Sequence, residues 1–299
     1  MLADDSVSVR SVDNAFNSGW LFRLGAGEAA PFPETPDVNW MPVTLPHIQN
    51  LARVGSDRAF AFQRQPRSDL ASAWYRRHVT LPEVSEGKMI YLTLCGDATD
   101  LRIWVNGHKF DAVSTEKSCA EYNITQRFRV GSDFDNVIAI ENRVTSSGVI
   151  AFPGTAPTAG ISLSVRNRVH LVAEHFELLG PVMGSERAHI RLRTAVANHR
   201  DSATEVTVQN QLFGPDGELM GSSEQVVAVP PGDLSPITND ITFPAQGLQL
   251  NDSGHSYRVT TTLFEASEQL DQIESVRDDA GFTEIRHSHL DQGQVITAN

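Results

Sequence analysis

The sequence predicts an all-β protein of two domains. Three observations carry that reading. Apolar and polar residues alternate with a period of two along most structured-looking stretches. Turn signals built from Gly, Pro, Asn and Asp separate those stretches. No long amphipathic helical pattern interrupts them; the nearest candidate, Ser267 to Val276, is short and reads as strand and turn.

Taken in order, Ile90, Leu92 and Leu94 face one way, with Tyr91, Thr93 and Cys95 facing the other. Leu101, Ile103 and Val105 alternate with Arg102, Trp104 and Asn106. Asn106-Gly107 then predicts a type I′ hairpin turn, because both central positions of that turn need positive φ. Val137, Ala139 and Glu141 alternate with Ile138, Ile140 and Asn142, and Val165, Val169 and Leu171 form a further candidate strand. The stretch from Ser146 to Gly160, rich in Ser, Gly, Pro and Thr, reads as a long surface loop. A second domain begins near Glu174. Ile190, Leu192 and Thr194 supply its first alternation, and Val206, Val208 and Leu212 the next. Gly214-Pro-Asp-Gly217 turns the chain, and Tyr257, Val259, Thr261 and Leu263 form a late strand. Strands at this spacing predict an immunoglobulin-like β-sandwich, without the Cys…Trp…Cys signature of antibody domains.

The chain has 299 residues, 40% hydrophobic and 20% charged, enough to bury a core in each domain. A net charge of −13 repels phosphate backbones, so nucleic acid is not an expected partner. No apolar run reaches the roughly 18 residues that a membrane span needs, so no membrane partner is expected. The N-terminus lacks the basic and apolar regions of a signal peptide, which places the expectation in the cytoplasm, with a trimmed secreted form left open. Cys95 lies on a strand pattern and Cys119 in a loop. The pair is read as two buried or half-buried thiols, with a disulfide between them left open.

Several segments fall in a telling order. They are Asn17-Ser-Gly-Trp-Leu-Phe22, Trp40 with Val43-Thr-Leu-Pro-His47, Asp69 with Trp74-Tyr-Arg-Arg77 and Leu81-Pro82, Val105-Asn-Gly107, and Asn136-Val-Ile-Ala139. Ala280-Gly-Phe-Thr-Glu-Ile285 follows. This series resembles the non-catalytic front part of glycoside hydrolase family 2, the β-galactosidase and β-glucuronidase group. The resemblance implies a galactose-binding-like jelly roll over 1–173, an immunoglobulin-like sandwich over 174–286, and a tail, 287–299, where that family's (β/α)₈ barrel would begin. It also implies a carbohydrate partner and either a barrel-bearing chain or a homo-oligomer. Two departures stand out: Thr115 to Ala120 replaces a Gly-Gly-Tyr-x-Pro-Phe loop, and a Tyr-Arg pair is missing after Ala159-Gly-Ile.

Retaining glycosidases need two carboxyl groups about 5–5.5 Å apart. In the family the acid/base glutamate follows an Asn, and no Asn-Glu dipeptide occurs here. The expectation is therefore no catalytic residue in this chain. Asp97 with Asp100 and Glu265 with Glu268 read as solvated surface groups. Gly25-Ala-Gly-Glu-Ala-Ala30 mimics a dinucleotide fingerprint, but Pro31-Phe-Pro33 follows in place of a helix, so it reads as a surface loop and no cofactor is expected. His287-Ser-His289 has no third ligand nearby, and Asp133-Phe-Asp135-Asn136 reads as a capped turn, so no metal is expected. Packing is the favoured role of Trp20, Trp40, Trp74 and Trp104. Among them Trp104, flanked on one face by Arg102 and Asn106, is the candidate sugar-stacking set.

Overall fold

The computed structural model describes residues 8–9, 14–50, 72–96, 101–110, 119–143, 149–153, 160–172, 177–183, 186–245, 257–277 and 283–287. They are strands joined by turns; among them the helical turns are the short 3-10 segments Asn14–Asn17, Glu83–Ser85 and Thr125–Arg127. The chain is all-β, a jelly roll and an immunoglobulin-like sandwich, with no closed barrel among the described residues. It divides into two compact units, with the break between Val165 and Arg166. Strand β1 (Ser8–Val9) belongs to the second unit, where it pairs in parallel with a late strand.

The first unit holds β2 (Trp20–Leu24), β3 (Met41–Val43), β4 (His47–Asn50), β5 (Ser72–Val79), β6 (Met89–Cys95) and β7 (Leu101–Val105). It continues with β8 (His108–Phe110), β9 (Cys119–Asn123), β10 (Asn136–Arg143), β11 (Val149–Phe152) and β12 (Gly160–Arg166). A six-stranded sheet runs β3-β2-β5-β10-β7-β8, a three-stranded one β12-β6-β9, and β11 and β4 form a separate ribbon. The predicted alternation places Ile90, Leu92, Leu94, Ile103, Val105, Ile138 and Ile140 in one core with Trp20, Tyr75 and Phe152. Each such side chain contributes about 1.5–3 kcal/mol by leaving water. Asn106 and Gly107 take φ of 50° and 79°, as a type I′ turn requires.

Central strand β10 is buried on both faces. Its Val137 and Ala139 join Ala30, Trp40 and Trp74 in a second, smaller cluster on the outer side of the six-stranded sheet. The segment following β2 turns repeatedly across that side, with successive bonds from Ala30 N to Gly27 O, Phe32 N to Ala29 O and Thr35 N to Phe32 O. The glycine-rich run from Gly25 thus opens a series of tight turns and no helix.

Three expectations are corrected in these elements. Cys119 opens strand β9 rather than lying in a loop, directly opposite Cys95 on β6, and the two form a disulfide. Register places their Cα atoms 3.9 Å apart, whereas two cysteines in a sequence carry no register. The loop-like region 146–160 contains β11, whose Val149–Phe152 backbone pairs with Asn50–His47. Finally, Val165 and Val169 do not share a strand. Asn167 interrupts, its carboxamide donating to the carbonyl of Leu270 at 2.7 Å and its own carbonyl bonded to His170.

The second unit holds β13 (Val169–Leu171), β14 (Glu177–Met183), β15 (Arg187–Asn198), β16 (Thr204–Phe213), β17 (Leu219–Val229) and β18 (Leu234–Pro244). Strands β19 (Tyr257–Glu265), β20 (Glu268–Arg277) and β21 (Thr283–His287) complete it. One sheet runs β1-β21-β20-β19-β16-β17; in the other, β15 pairs with β13 and β14 along its length and with β18 as well. The predicted inward residues Ile190, Leu192, Val206, Val208, Leu212, Val259 and Leu263 form its core with Phe243 and Ile273.

Candidate functional site

The outer side of the six-stranded sheet gathers the residues that the sequence singled out. Strand register sets Arg23 beside Trp74, Trp74 beside Glu141, and Glu141 beside Arg102. These four lie in one row across β2, β5, β10 and β7. In the neighbouring row Ala139 stands between Arg76 and Trp104, and Trp104 pairs with Lys109 on β8. Trp104 is half-buried, its ring tilted over Trp74 with centroids 4.9 Å apart. Trp74 itself is buried, as the family-like motif implies.

Arg102 is partly exposed and reaches Glu141 Oε2 at 3.4 Å, a long contact. The same carboxylate accepts a 2.5 Å bond from the Ser72 hydroxyl. Lys109 is exposed, and its side chain makes no hydrogen bond or ion pair among the described residues. The hairpin rule held the signal for it. With Asn106-Gly107 at the turn, Val105 must pair with His108 and Trp104 with Lys109, and Lys109 joins Trp104 on one face.

Asn106 occupies the same strand end but has other work. Its Nδ2 donates to the carbonyl of Arg127 at 2.7 Å and to Asn136 Oδ1 at 2.8 Å. Its Oδ1 accepts from Val137 N at 2.8 Å. Asn136 is fully buried and donates in turn to the carbonyls of Val79 and Arg129. The two carboxamides tie the hairpin to the turn that precedes β10.

The opposite side of β5 carries an aromatic cluster that unites three motifs. His47 Nδ1 lies 2.9 Å from the Tyr75 hydroxyl, and Phe152 stacks on Tyr75 at 4.2 Å, with Phe22 beside both. Cis peptide bonds at Leu45-Pro46 and Phe152-Pro153 flank the β4–β11 ribbon that carries His47 and Phe152. Burial lowers the His47 pKa, so the ring is neutral at pH 7.

Several acidic groups are engaged by arginines. Glu265 is held by Arg200 at 2.6 and 2.9 Å and by the Thr204 hydroxyl, and those bonds keep its carboxyl below the ordinary range. Asp240 is held likewise by Arg191 at 2.8 and 2.9 Å. Asp37 and Asp135 flank His78 at 2.9 and 2.6 Å, with Arg76 3.2 Å from Asp37. Asp135 of the predicted capped turn is thus a hydrogen-bond partner of His78. Asp97, Asp100 and His289 lie outside the described residues, and His287 sits on β21 opposite Ile273. Among the described residues no group of three or more His, Cys, Asp or Glu is arranged to hold a metal ion. No helix among them is long and apolar enough to cross a membrane.

No family model matches the chain. It is similar to a β-glucuronidase of Formosa agariphila, 20% identical over 280 residues that make up 87% of this chain and 28% of that protein. Its fold matches β-glucuronidase 2 of Bacteroides uniformis with a TM-score of 0.70 and 21% identity, over 90% of this chain and 32% of the other. A β-glucuronidase from glycoside hydrolase family 2 matches with a TM-score of 0.71 and 19% identity, over 91% and 31%. A family 2 member from Bacteroides cellulosilyticus matches at 0.69 and 18%, over 90% and 38%. Over nearly its whole length, then, the chain has the fold of about a third of a glycoside hydrolase family 2 enzyme, as the order of its motifs implies.

Proposed function

We propose that this chain is a non-catalytic front part of a family 2 β-glycosidase. It supports the substrate cleft and the assembly of a complete enzyme that hydrolyses β-linked sugars with retention. The asymmetry of the fold match carries this reading: 90% of this chain corresponds to only 32% of a solved β-glucuronidase. The charge chemistry supports it. A general acid must hold a proton near neutral pH, and the guanidinium-bound carboxyls of Glu265 and Asp240 are pushed the opposite way. The required partner is a barrel-bearing chain or further barrel sequence that supplies both carboxyl groups. The purified 299-residue chain is expected to release no nitrophenol from p-nitrophenyl β-glycosides above the uncatalysed rate. Adding the chain encoded next to it should start turnover. Turnover by the 299 residues alone at enzymatic speed would refute the proposal.

A second reading, a carbohydrate-binding module in its own right, is favoured by the half-exposed Trp104 beside Arg102. A flat indole face suits the apolar side of a pyranose, and the sheet supplies a rigid support.

A further inference from the structure

Resting on that carbohydrate-binding reading, we infer that the face around Trp104 selects acidic saccharides, which carry carboxylate or sulfate groups, over neutral ones. Three observations converge on it. First, Trp104 is backed by Trp74, so its ring is held in place while part of it meets solvent. Second, two cations frame the indole on the same side of the sheet. Lys109 is its direct cross-strand partner, and Arg102 lies two residues back on β7, about 7 Å away by strand geometry. Third, those cations are poorly spent. Among the described residues the Lys109 side chain has no ion-pair partner, and Arg102 has a single long contact to Glu141 that leaves most of its donors unused.

The sign of the charge is informative. The whole chain carries −13, which disfavours anionic ligands everywhere else on average. In the strand rows that carry Trp104, the carboxylate is Glu141, already engaged by Ser72 and Arg102, and the nearby Asp37 is taken by Arg76, which leaves Lys109 and most of Arg102 to a ligand. A pyranose stacked on Trp104 would set an equatorial anionic substituent within reach of either cation. Neutral sugars would gain the stacking and leave the ammonium of Lys109 without a partner.

Titration of the full 299-residue chain at low and moderate salt decides the matter, using an oligogalacturonate, a heparin-derived sulfated oligosaccharide and a neutral cello-oligosaccharide. At least one acidic ligand should bind about tenfold or more tightly than the neutral one, weakening as salt rises. The two acidic arms identify which oxyanion is preferred. Lys109→Gln should weaken acidic binding about three- to tenfold, flatten the salt dependence and leave the thermal midpoint unchanged, since Lys109 is exposed and its replacement keeps most of the aliphatic stem beside Trp104. Trp104→Phe should retain stacking, and Trp104→Ala should lose it. Equal affinity for the neutral ligand, or a Lys109→Gln protein that binds as the parent does, would overturn the charge inference and leave the carbohydrate-binding reading standing. Failure of all three ligands to bind would overturn both. Neither outcome bears on the glycosidase-assembly proposal, which is read by turnover.

Discussion

At the scale of single residues, position on the sheet decides what a polar side chain can do. Asn106 and Lys109 sit on the same hairpin, yet one is consumed by structure and the other is free. Asn106 closes three hydrogen bonds, one of them to the buried Asn136. Removing a partner from such a network costs the desolvation of each group left behind. Asn106→Ala should therefore lower stability by about 2–3 kcal/mol in urea unfolding. Lys109→Ala should fall within about 0.5 kcal/mol of the parent. An Asn106→Ala protein as stable as the parent would show that water replaces the carboxamide. The sequence places both residues on the correct hairpin but cannot distinguish them. The carbonyls that Asn106 serves come from Arg127, and the oxygen that it shares comes from Asn136, distant segments that only the fold brings near.

Elements were more legible than sites, for a physical reason. A strand with one buried face must alternate, so β7, the first half of β15 and β16 announce themselves in composition alone. Strand β10 is buried on both sides yet still reads correctly, because its outward Val137 and Ala139 are small beside Ile138 and Ile140. Ribbon β4–β11 was not legible: four-residue strands set in Ser-, Gly- and Pro-rich sequence have too few positions for a period to emerge. The Cys95–Cys119 bridge was hidden likewise, because it depends on the register of β6 against β9. Joining residues 24 apart, it should remove about 3 kcal/mol of unfolded-state entropy. The Cys95→Ser/Cys119→Ser double variant should accordingly unfold at lower urea, and the parent should show no reactive thiol in denaturant until a reductant is added. Two reactive thiols without reductant would remove the bridge.

For the whole molecule, the two cores differ in how they meet acid. All four tryptophans lie in the first unit, Trp20, Trp40, Trp74 and Trp104, so indole emission reports that unit alone. The second unit carries His170, buried and stacked on His199 at 5.4 Å. Burial, reinforced by the charge of Arg166, pushes its pKa down to about 3 from 6.5. The folded chain refuses a proton there that the unfolded chain accepts. Between about 6.5 and 3 the unfolded state binds more protons, and stability falls with falling pH, by about 1.4 kcal/mol per unit from this group. Above 6.5 the contribution is complete and pH-independent. The carboxyls of Asp240 and Glu265, lowered by their arginines, add a loss in the same direction only once the pH drops below the ordinary carboxylate values. A window from about 6.5 to 4.5 thus isolates the histidines, since His47 and His199 are lowered as well. Thermal melts of the parent followed by circular dichroism should shift downward across that window. The shift should shrink in His170→Gln, whose amide holds no titratable proton, while the indole-reported transition keeps the same pH dependence in both proteins. If His170→Gln instead follows the parent's acid profile by both probes, the buried neutral ring is not what limits the sandwich in acid.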